Sequence, residues 1–522
     1  MANRSLFQSL VGRLLPATDV VNQASAPAYA LTPKAALAQY AATGCLNSTF
    51  YAGAREQLSD VLTLCREIEP EFIARAAVFA RERGAMKDMP ALLCAVLASR
   101  DGRLLGQVFD RVIDNGRMLR SFVQILRSGT TGRKSLGTVP KRLVRGWLAA
   151  RSEDQLFRAS VGQSPSLGDV IKMVHPRPAS ATREAFYGYL LERKYDADAL
   201  PSLVAQYEAF KAGQREVVPD VPFSLLTAME LDREAWTGIA RQAPWQTTRM
   251  NLNTFARHGV FETGGMADLV AERLRNPAAV QRARVFPYQL LSAYRSTDDR
   301  VPAIVRDALQ DALELATQNV PEIAGKVYVF PDVSGSMQSP VTGNRKGSST
   351  SVRCVDVAAL MAACVLRRNP SAEVLPFAER VIDLRLNARD SVMTNAEKLA
   401  SLPPGGTNCS EPLARLNRRR AQGDLVIYVS DNQSWLDAPR IPGWGMSPTN
   451  TMAEWSAFKR RNPRARMVCL DIQPYGNTQA QERTDILNIG GFSDAVFEVI
   501  AAFARGELAA DHLIGVIEQI EL

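Results

Sequence analysis

The sequence predicts an array of helical repeats followed by a parallel, doubly wound α/β domain, and three observations predict it. From about Leu31 to about Gln318, short segments with apolar residues three and four apart follow one another, with no convincing period-two strand. After Gly325 short β-branched and aromatic runs begin to alternate with helical ones. The chain has 522 residues, too long for one hydrophobic core and long enough for two or three. With 46% hydrophobic and 22% charged residues, both halves are expected to fold. The expected divisions are an N-terminal segment 1–27, a helical region 28–318, an α/β domain 325–505 and a C-terminal segment 506–522.

Thr32-Pro33 reads as a helix opening, because a threonine hydroxyl can accept from the free amides and proline is tolerated at the first helical position. Asp60 is the expected cap of the next helix, in which Val61, Leu64, Cys65 and Ile68 recur on one face. Pro70 opens another, with Phe72, Ala76, Phe79 and Ala80 apolar and Arg75, Arg81 and Glu82 between them. Successive helices of this kind suit a repeat array, each unit burying its apolar face on its neighbours. On periodicity alone an irregular all-helical domain fits equally.

In the second half Lys326 to Phe330 reads as a strand leading into a Pro-Asp-Val-Ser-Gly turn, and Val355 to Arg368 as a helix. Glu373 to Phe377 is a predicted strand whose Pro376 suits an edge, and Ala396 to Leu402 a helix. Leu425 to Val429 and Arg466 to Leu470 read as fully buried strands. Ligands of such sheets bind at the carboxyl ends of the strands.

The net charge of +8, from 62 basic and 54 acidic residues, tilts toward a polyanionic partner, although solvated helix faces account for it as well. Seven cysteines, an odd number with no CxxC pair, speak against a disulfide framework or zinc ribbon. Arg4, Gln8 and Arg13 interrupt the apolar start, so no signal peptide is expected. The run Val357 to Leu366 falls short of the roughly 20 residues that span a bilayer. A reducing cytoplasm is the expected compartment, and neither DNA nor membrane an expected partner.

The turn after the first strand of the second half holds Asp332, Ser334 and Ser336, three oxygen side chains at alternate positions, with Gly335 expected to relax the backbone between them. Such donors suit Mg2+ or another hard divalent cation. None of the three histidines, His175, His258 and His512, lies near the turn in sequence, which counts against zinc. Serine- and aspartate-rich turns are common for other reasons, so company decides. Gly405-Gly406-Thr407 presents a further hydroxyl, and Ser430-Asp431-Asn432 follows a buried strand. No histidine base or activated nucleophile accompanies them, so the site is expected to grip rather than hydrolyse.

Asp332-Val333-Ser334-Gly335-Ser336, Gly405-Gly406-Thr407 and Val429-Ser430-Asp431-Asn432 together resemble the metal-ion-dependent adhesion site of von Willebrand A domains. The resemblance implies that Ser334, Ser336 and Thr407 contact the metal, that Asp332 and Asp431 hold its waters, and that an acidic group of a partner completes the shell. In the helical half, Asp169-Val170-Ile171-Lys172-Met173-Val174-His175-Pro176-Arg177-Pro178 resembles a signature of the Ro autoantigen family, RNA-binding proteins built on the TROVE module. Lys141-Arg142 with Trp147, Pro222-Phe223, Asn251 to Thr254, Val285 to Leu291 and Gly406 to Ser410 agree with it. This likeness covers nearly the whole chain in short pieces. It implies a ring of HEAT-like helical repeats closed by the von Willebrand A domain. It further implies a central hole for single-stranded ends of misfolded RNA, an outer face for a small Y-type RNA, and an exoribonuclease as a partner.

The residues suit that role. Lys141, Arg142 and Arg145 lie within about one helical turn, and Lys172, His175 and Arg177 add phosphate donors and an imidazole able to stack on a base. Without the resemblance, a satisfied buried histidine is the favoured reading of His175, and a solvated helix face is an equally good reading of the Lys141 run. Two basic residues a turn apart usually precede the histidine signature in the family; Arg158 fills one place, whereas Ala159 to Gly168 carries no charge for the other. The loop from Gln338 to Ser351, with Arg345 and Lys346, reads as a surface loop beside the metal. The sequence therefore points to a non-enzymatic RNA-binding scaffold in RNA quality control. The alternative is a metal-dependent protein-protein scaffold or chaperone subunit that uses no RNA.

Overall fold

The computed structural model describes residues 17–214, 217–283, 285, 287–344, 352–436, 448–491, 494–508 and 512–522. The apolar start 1–15, Phe286 and the Arg345-Lys346-Gly347 stretch lie outside these residues. The chain divides into two compact units, one comprising 1–58, 320–492 and 496–515, the other 59–319 with 493–495 and 516–522.

The second unit is all helical among its described residues. Among its long helices, Pro70–Glu82 packs on Asp88–Arg100 and Gly102–Val112, and Asp88–Arg100 packs on Gly102–Val112 and Gly116–Arg127, as stacked repeats do. Phe72, Ala76, Phe79 and Ala80 are buried as the spacing requires. A recurring arginine ties these turns together. Arg100 donates to Cys65 O and Ile68 O, Arg133 to Ala98 O, Arg183 to Leu148 O and Arg151 O, and Arg273 to Ala240 O and Arg241 O. In each case donor and acceptor are 32 to 35 residues apart. Such a bond satisfies carbonyls that a helix end leaves free and places a cation on the negative end of the dipole. The spacing is the repeat that periodicity alone left undecided. Asp60 corrects one expectation: it lies inside the helix Ala54–Glu67, which begins too early for it to be a cap.

The first unit is a parallel sheet of five strands in the order β4-β3-β5-β6-β8. These are β3 (Val327–Pro331), β4 (Glu373–Val374), β5 (Leu425–Ser430), β6 (Arg466–Asp471) and β8 (Ile486–Gly490). Tyr328, Phe330, Val426, Tyr428, Met467 and Cys469 face a core closed by Leu413, Leu416, Trp455 and Phe458. Val329, Ile427 and Val468, on alternate positions, are buried as well, and the helix Cys354–Arg368 packs on β3 and β5. The sheet is therefore covered on both sides, which is why its strands read as continuous apolar runs. Pro376 lies just past β4, the short edge strand. From β3 the chain steps to β4 on one side and then to β5 on the other, so the strand order reverses at the carboxyl end of β3. That is where a doubly wound sheet opens a crevice.

Among the described residues, 17–58 group with this unit, whereas the sequence predicts that the helical region begins at 28. Strand β1 (Val20–Val21) pairs with β2 (Pro27–Ala30), and β2 with β7 (Asn477–Thr478), all antiparallel. The helix Pro33–Thr43, capped by Thr32 as predicted, packs on β8. A Cβ at Gly490 would meet Thr43 Cγ2 at 3.0 Å, so helix and strand approach at a distance that only glycine allows. All seven cysteines are free.

Candidate metal centre and nucleic-acid interface

The three oxygen-bearing motifs converge at the crevice of the sheet. The Asp332 amide donates to Val429 O at 3.0 Å, which joins the turn after β3 to the end of β5. The Gly335 amide donates to Gly405 O at 2.8 Å, and the amides of Trp435 and Leu436 donate to Thr407 O, each at 3.2 Å. Asp332, Ser334, Ser336, Thr407 and Asp431 are all buried. The Ser334 and Ser336 hydroxyl oxygens lie 3.4 Å apart, and Asp332 Oδ1 accepts from the Ser334 amide at 2.8 Å. Gly335 itself has φ −62° and ψ −39°, ordinary helical values, so its conformational freedom is not what brings the serines together. At Gly406 the need is steric. A Cβ there would meet Leu436 at 2.6 Å and Trp435 at 2.9 Å.

Two buried carboxylates here lack a basic partner: among the described residues no lysine, arginine or histidine forms an ion pair with Asp332 or Asp431. Burial pushes Asp332 up to about 7, and the neighbouring Asp431 adds to the shift. Burial raises Asp431 too, against a hydrogen bond from Ser336. A cation with a preference for hard oxygen donors is the group that relieves such a pair, and three hydroxyls beside two carboxylates suit the octahedral demand of Mg2+. Neither of the other histidines serves this crevice: His258 stacks on Trp236 and His512 bonds to Arg483 O.

Tyr51 escaped the sequence reading. Its phenol is pushed up to about 12 by burial and then by Asp431, with Ser336 acting the other way, so it stands beside the Asp332 to Ser336 turn. The ring meets Tyr475 edge-on at 5.7 Å. The loop that carries it is fastened to the chain just beyond the Asp332 to Ser336 turn: Asn344 N donates to Ser48 O at 2.6 Å and Asn47 Nδ2 to Thr342 O at 2.8 Å. Gly343, with φ +69°, makes room for it, since a Cβ would lie 2.8 Å from Ser48 O. No local pattern around Phe50-Tyr51 announces this, because the partner lies far away in sequence.

In the helical unit the predicted basic residues fall into two places. Lys141, Arg142 and Arg145 share the helix Thr138–Ala149, and Lys172 lies in the last turn of the helix Leu167–Val174. Arg145 Nε donates to Val174 O, which draws the first helix onto the end of the second. His175 sits at that end in the left-handed conformation, φ 49° and ψ 61°, and is exposed, as are Lys172 and Arg177. The buried-histidine reading of His175 is thereby overturned. Arg127, not singled out from sequence, reaches Met173 Sδ at 3.5 Å and adds its charge beside Lys172. Arg158 belongs elsewhere: its guanidinium pairs with Asp220 at 2.7 Å, and it lines a cavity with Arg117, Arg120 and Arg151. Beside the uncharged stretch Ala159 to Gly168 lies Arg120, whose Nη1 donates to Ala159 O at 2.6 Å.

Comparison with known proteins bears on both units. The family model described as the TROVE domain matches residues 107–316, and that described as the Ro60 vWA domain matches residues 326–504. A curated relative, the RNA-binding protein RO60 of Deinococcus radiodurans, is 26% identical over 533 aligned positions, covering 94% of this chain and 96% of the relative. The crystal structure of the Deinococcus radiodurans RO (RSR) protein superposes with a TM-score of 0.62 at 23% identity. It covers 91% of this chain and all of that one, a likeness of fold.

Proposed function

We propose that this chain, which belongs to the Ro family by its TROVE domain and the Ro60-type von Willebrand A domain after it, is an RNA-binding protein and not an enzyme. In this reading it holds a small noncoding RNA of the Y type and the single-stranded ends of structured or misfolded RNA, and presents them to an exoribonuclease in the cytoplasm. The carrying observation is the exposed group of Lys172, His175 and Arg177 at one helix end, beside Arg145 and Arg127. The side chains of Lys172, His175 and Arg177 have no hydrogen bond or ion pair among the described residues, so they are free to meet phosphates and a base. The relative named as an RNA-binding protein supports the same reading.

Mg2+ or another divalent cation is the proposed occupant of the crevice, with Ser334, Ser336 and Thr407 as its contacts and Asp332 and Asp431 behind them. When bound it supplies a positive centre for an acidic group of a partner. Ser430 and the amide of Ser334 orient Asp332, and the Gln433 amide orients Asp431.

The deciding experiment is equilibrium binding of a structured RNA with a free single-stranded end over a range of salt. Affinity is expected to fall by about 0.7 logarithmic units per tenfold salt for each phosphate contact. Absence of measurable binding would overturn the reading and leave the metal-dependent protein scaffold. Asp332→Ala is expected to abolish metal binding and spare RNA binding.

A further inference from the structure

The helical unit holds a cavity of about 450 Å³ at the start of the helix Gly116–Arg127, lined by Asp114, Arg117, Arg120, Arg151 and Arg158 among others. Its charges do not cancel. Arg120 donates to a backbone carbonyl, Ala159 O, at 2.6 Å. Arg151 likewise donates to Trp147 O at 2.9 Å and Asp114 O at 3.3 Å, with its Cζ over the Trp147 ring, 3.6 Å from the centroid. Arg117 is exposed and has no hydrogen bond or ion pair among the described residues. Only Arg158 has a carboxylate of its own, Asp220. The one carboxylate in the lining, Asp114, is already engaged by Arg81 at 2.7 Å and by Asn115 Nδ2 at 2.7 Å. Burial pulls Arg120 and Arg151 below the usual guanidinium range, and Arg117 adds to the effect on Arg120, whereas Asp110 and Asp114 oppose it at Arg151.

Two glycines preserve the arrangement. A Cβ at Gly116 would lie 2.5 Å from Ala159 O, and one at Gly162 would lie 2.6 Å from an Arg120 Nη. A side chain at Gly162 would displace the Arg120 guanidinium, and one at Gly116 would clash with Ala159, whose carbonyl that guanidinium bonds. Carbonyl bonds orient a guanidinium without neutralising it, so three half-buried or exposed positive charges face one space with their anion-binding capacity unspent. The volume is that of a small-ligand site, sufficient for a phosphate with an attached nucleoside.

We infer that this cavity is a phosphomonoester site that takes the terminal phosphate of an RNA strand or the same group on a free mononucleotide. The inference deepens the RNA-binding reading and rests on it for the RNA source. A phosphomonoester differs from the internal phosphodiester in carrying a second charge and an additional free oxygen, which is what three forked donors lining one cavity can distinguish.

The test measures binding of the full-length protein at fixed salt to a short single strand ending in a phosphate, at the 5′ or the 3′ end, and to the same strand ending in hydroxyls. Adenosine monophosphate and adenosine serve as competitors. A preference of about tenfold for one phosphorylated strand is expected, the value of one charge-assisted hydrogen bond. Arg117→Ala, which removes no side-chain hydrogen bond or ion pair among the described residues, is expected to remove that preference and leave the hydroxyl-ended strand bound as before. Competition by the mononucleotide against adenosine identifies the free nucleotide as a source; its failure alongside a strand preference identifies the RNA end. Equal binding of phosphorylated and hydroxyl-ended strands, with no competition by the monophosphate, would overturn the site and leave the RNA-binding reading intact. If no strand binds but the monophosphate does, and Arg117→Ala abolishes that, the site stands and the RNA reading falls.

Discussion

The Ser430 hydroxyl donates to Asp332 Oδ2 at 2.6 Å, so the last residue of β5 holds the first residue of the turn after β3. Both are fully buried. Ser430→Ala leaves that oxygen without its donor in a low-dielectric site, at a cost of about 1–3 kcal/mol. Chemical denaturation should show that loss, and Mg2+ titration by calorimetry should show weaker affinity. Unchanged stability would mean that Asp332 does not depend on the hydroxyl.

Removal of divalent cations is expected to lower the melting temperature, because a ligand that binds only the folded state stabilises it by about 2.7 kcal/mol at a hundredfold excess over Kd. Thermal melts with Mg2+ and with a chelator check this, with Asp431→Asn as the variant in which the difference should vanish. A difference that survives in Asp431→Asn would place the cation elsewhere.

Gly343→Ala tests the fastening of the Tyr51 loop. At φ +69°, with Ser48 O 2.8 Å from the new Cβ, the substitution combines backbone strain with a clash and should cost about 1–3 kcal/mol. Tyr51→Phe removes only the hydroxyl beside Ser336. If the loop shapes the metal crevice, both variants change Mg2+ affinity; if it is packing alone, only Gly343→Ala alters stability and neither alters the metal.

For the RNA surface, Lys172→Ala and His175→Ala are expected to weaken binding, and Lys172→Ala to reduce the salt slope by about 0.7 through loss of one phosphate contact. His175→Ala should weaken binding without the loss of slope seen for Lys172→Ala, since the role proposed for the ring is stacking on a base. Fold stability should not move in either case, because both side chains are exposed. Arg145→Met, by contrast, should lower stability as well, since Arg145 holds Val174 O.

A pH dependence follows from Glu482, whose carboxyl burial pushes up to about 7 against hydrogen bonds from the Asn488 amide and side chain. The His512 ring lies 3.9 Å away. With the folded value above the unfolded one, the folded state binds more protons between the two, so stability falls as pH rises through about 7. Melting temperatures at acidic and mildly alkaline pH should show that fall, and Glu482→Gln, neutral throughout, should flatten it. An equal slope in the variant would assign the dependence to other groups.

Much of the chain was legible because its elements obey local rules. The apolar runs of β3, β5 and β6 and the three- and four-residue spacing after Pro70 report burial directly, since a covered parallel sheet and a stacked helix leave few positions for polar residues. Asp332, Ser334, Ser336, Thr407 and Asp431 could be gathered from sequence because each lies in a turn after or beside a strand, and parallel strands deliver such turns to one rim. What tertiary structure alone decided lies in contacts between distant segments. The strands β1 and β2, too short to show a pattern, joined the α/β unit by pairing with one another and with β7. Tyr51 reached Ser336, and Arg117, Arg120, Arg151 and Arg158 met around one cavity, through packing that no spacing encodes. The arginines divide for the same reason. Those at 100, 133, 183 and 273 spend their donors on helix ends 32 to 35 residues back, whereas the exposed Arg117 and Arg177 keep theirs. Composition counts both alike; only the positions of the carbonyls distinguish a structural arginine from one left to bind.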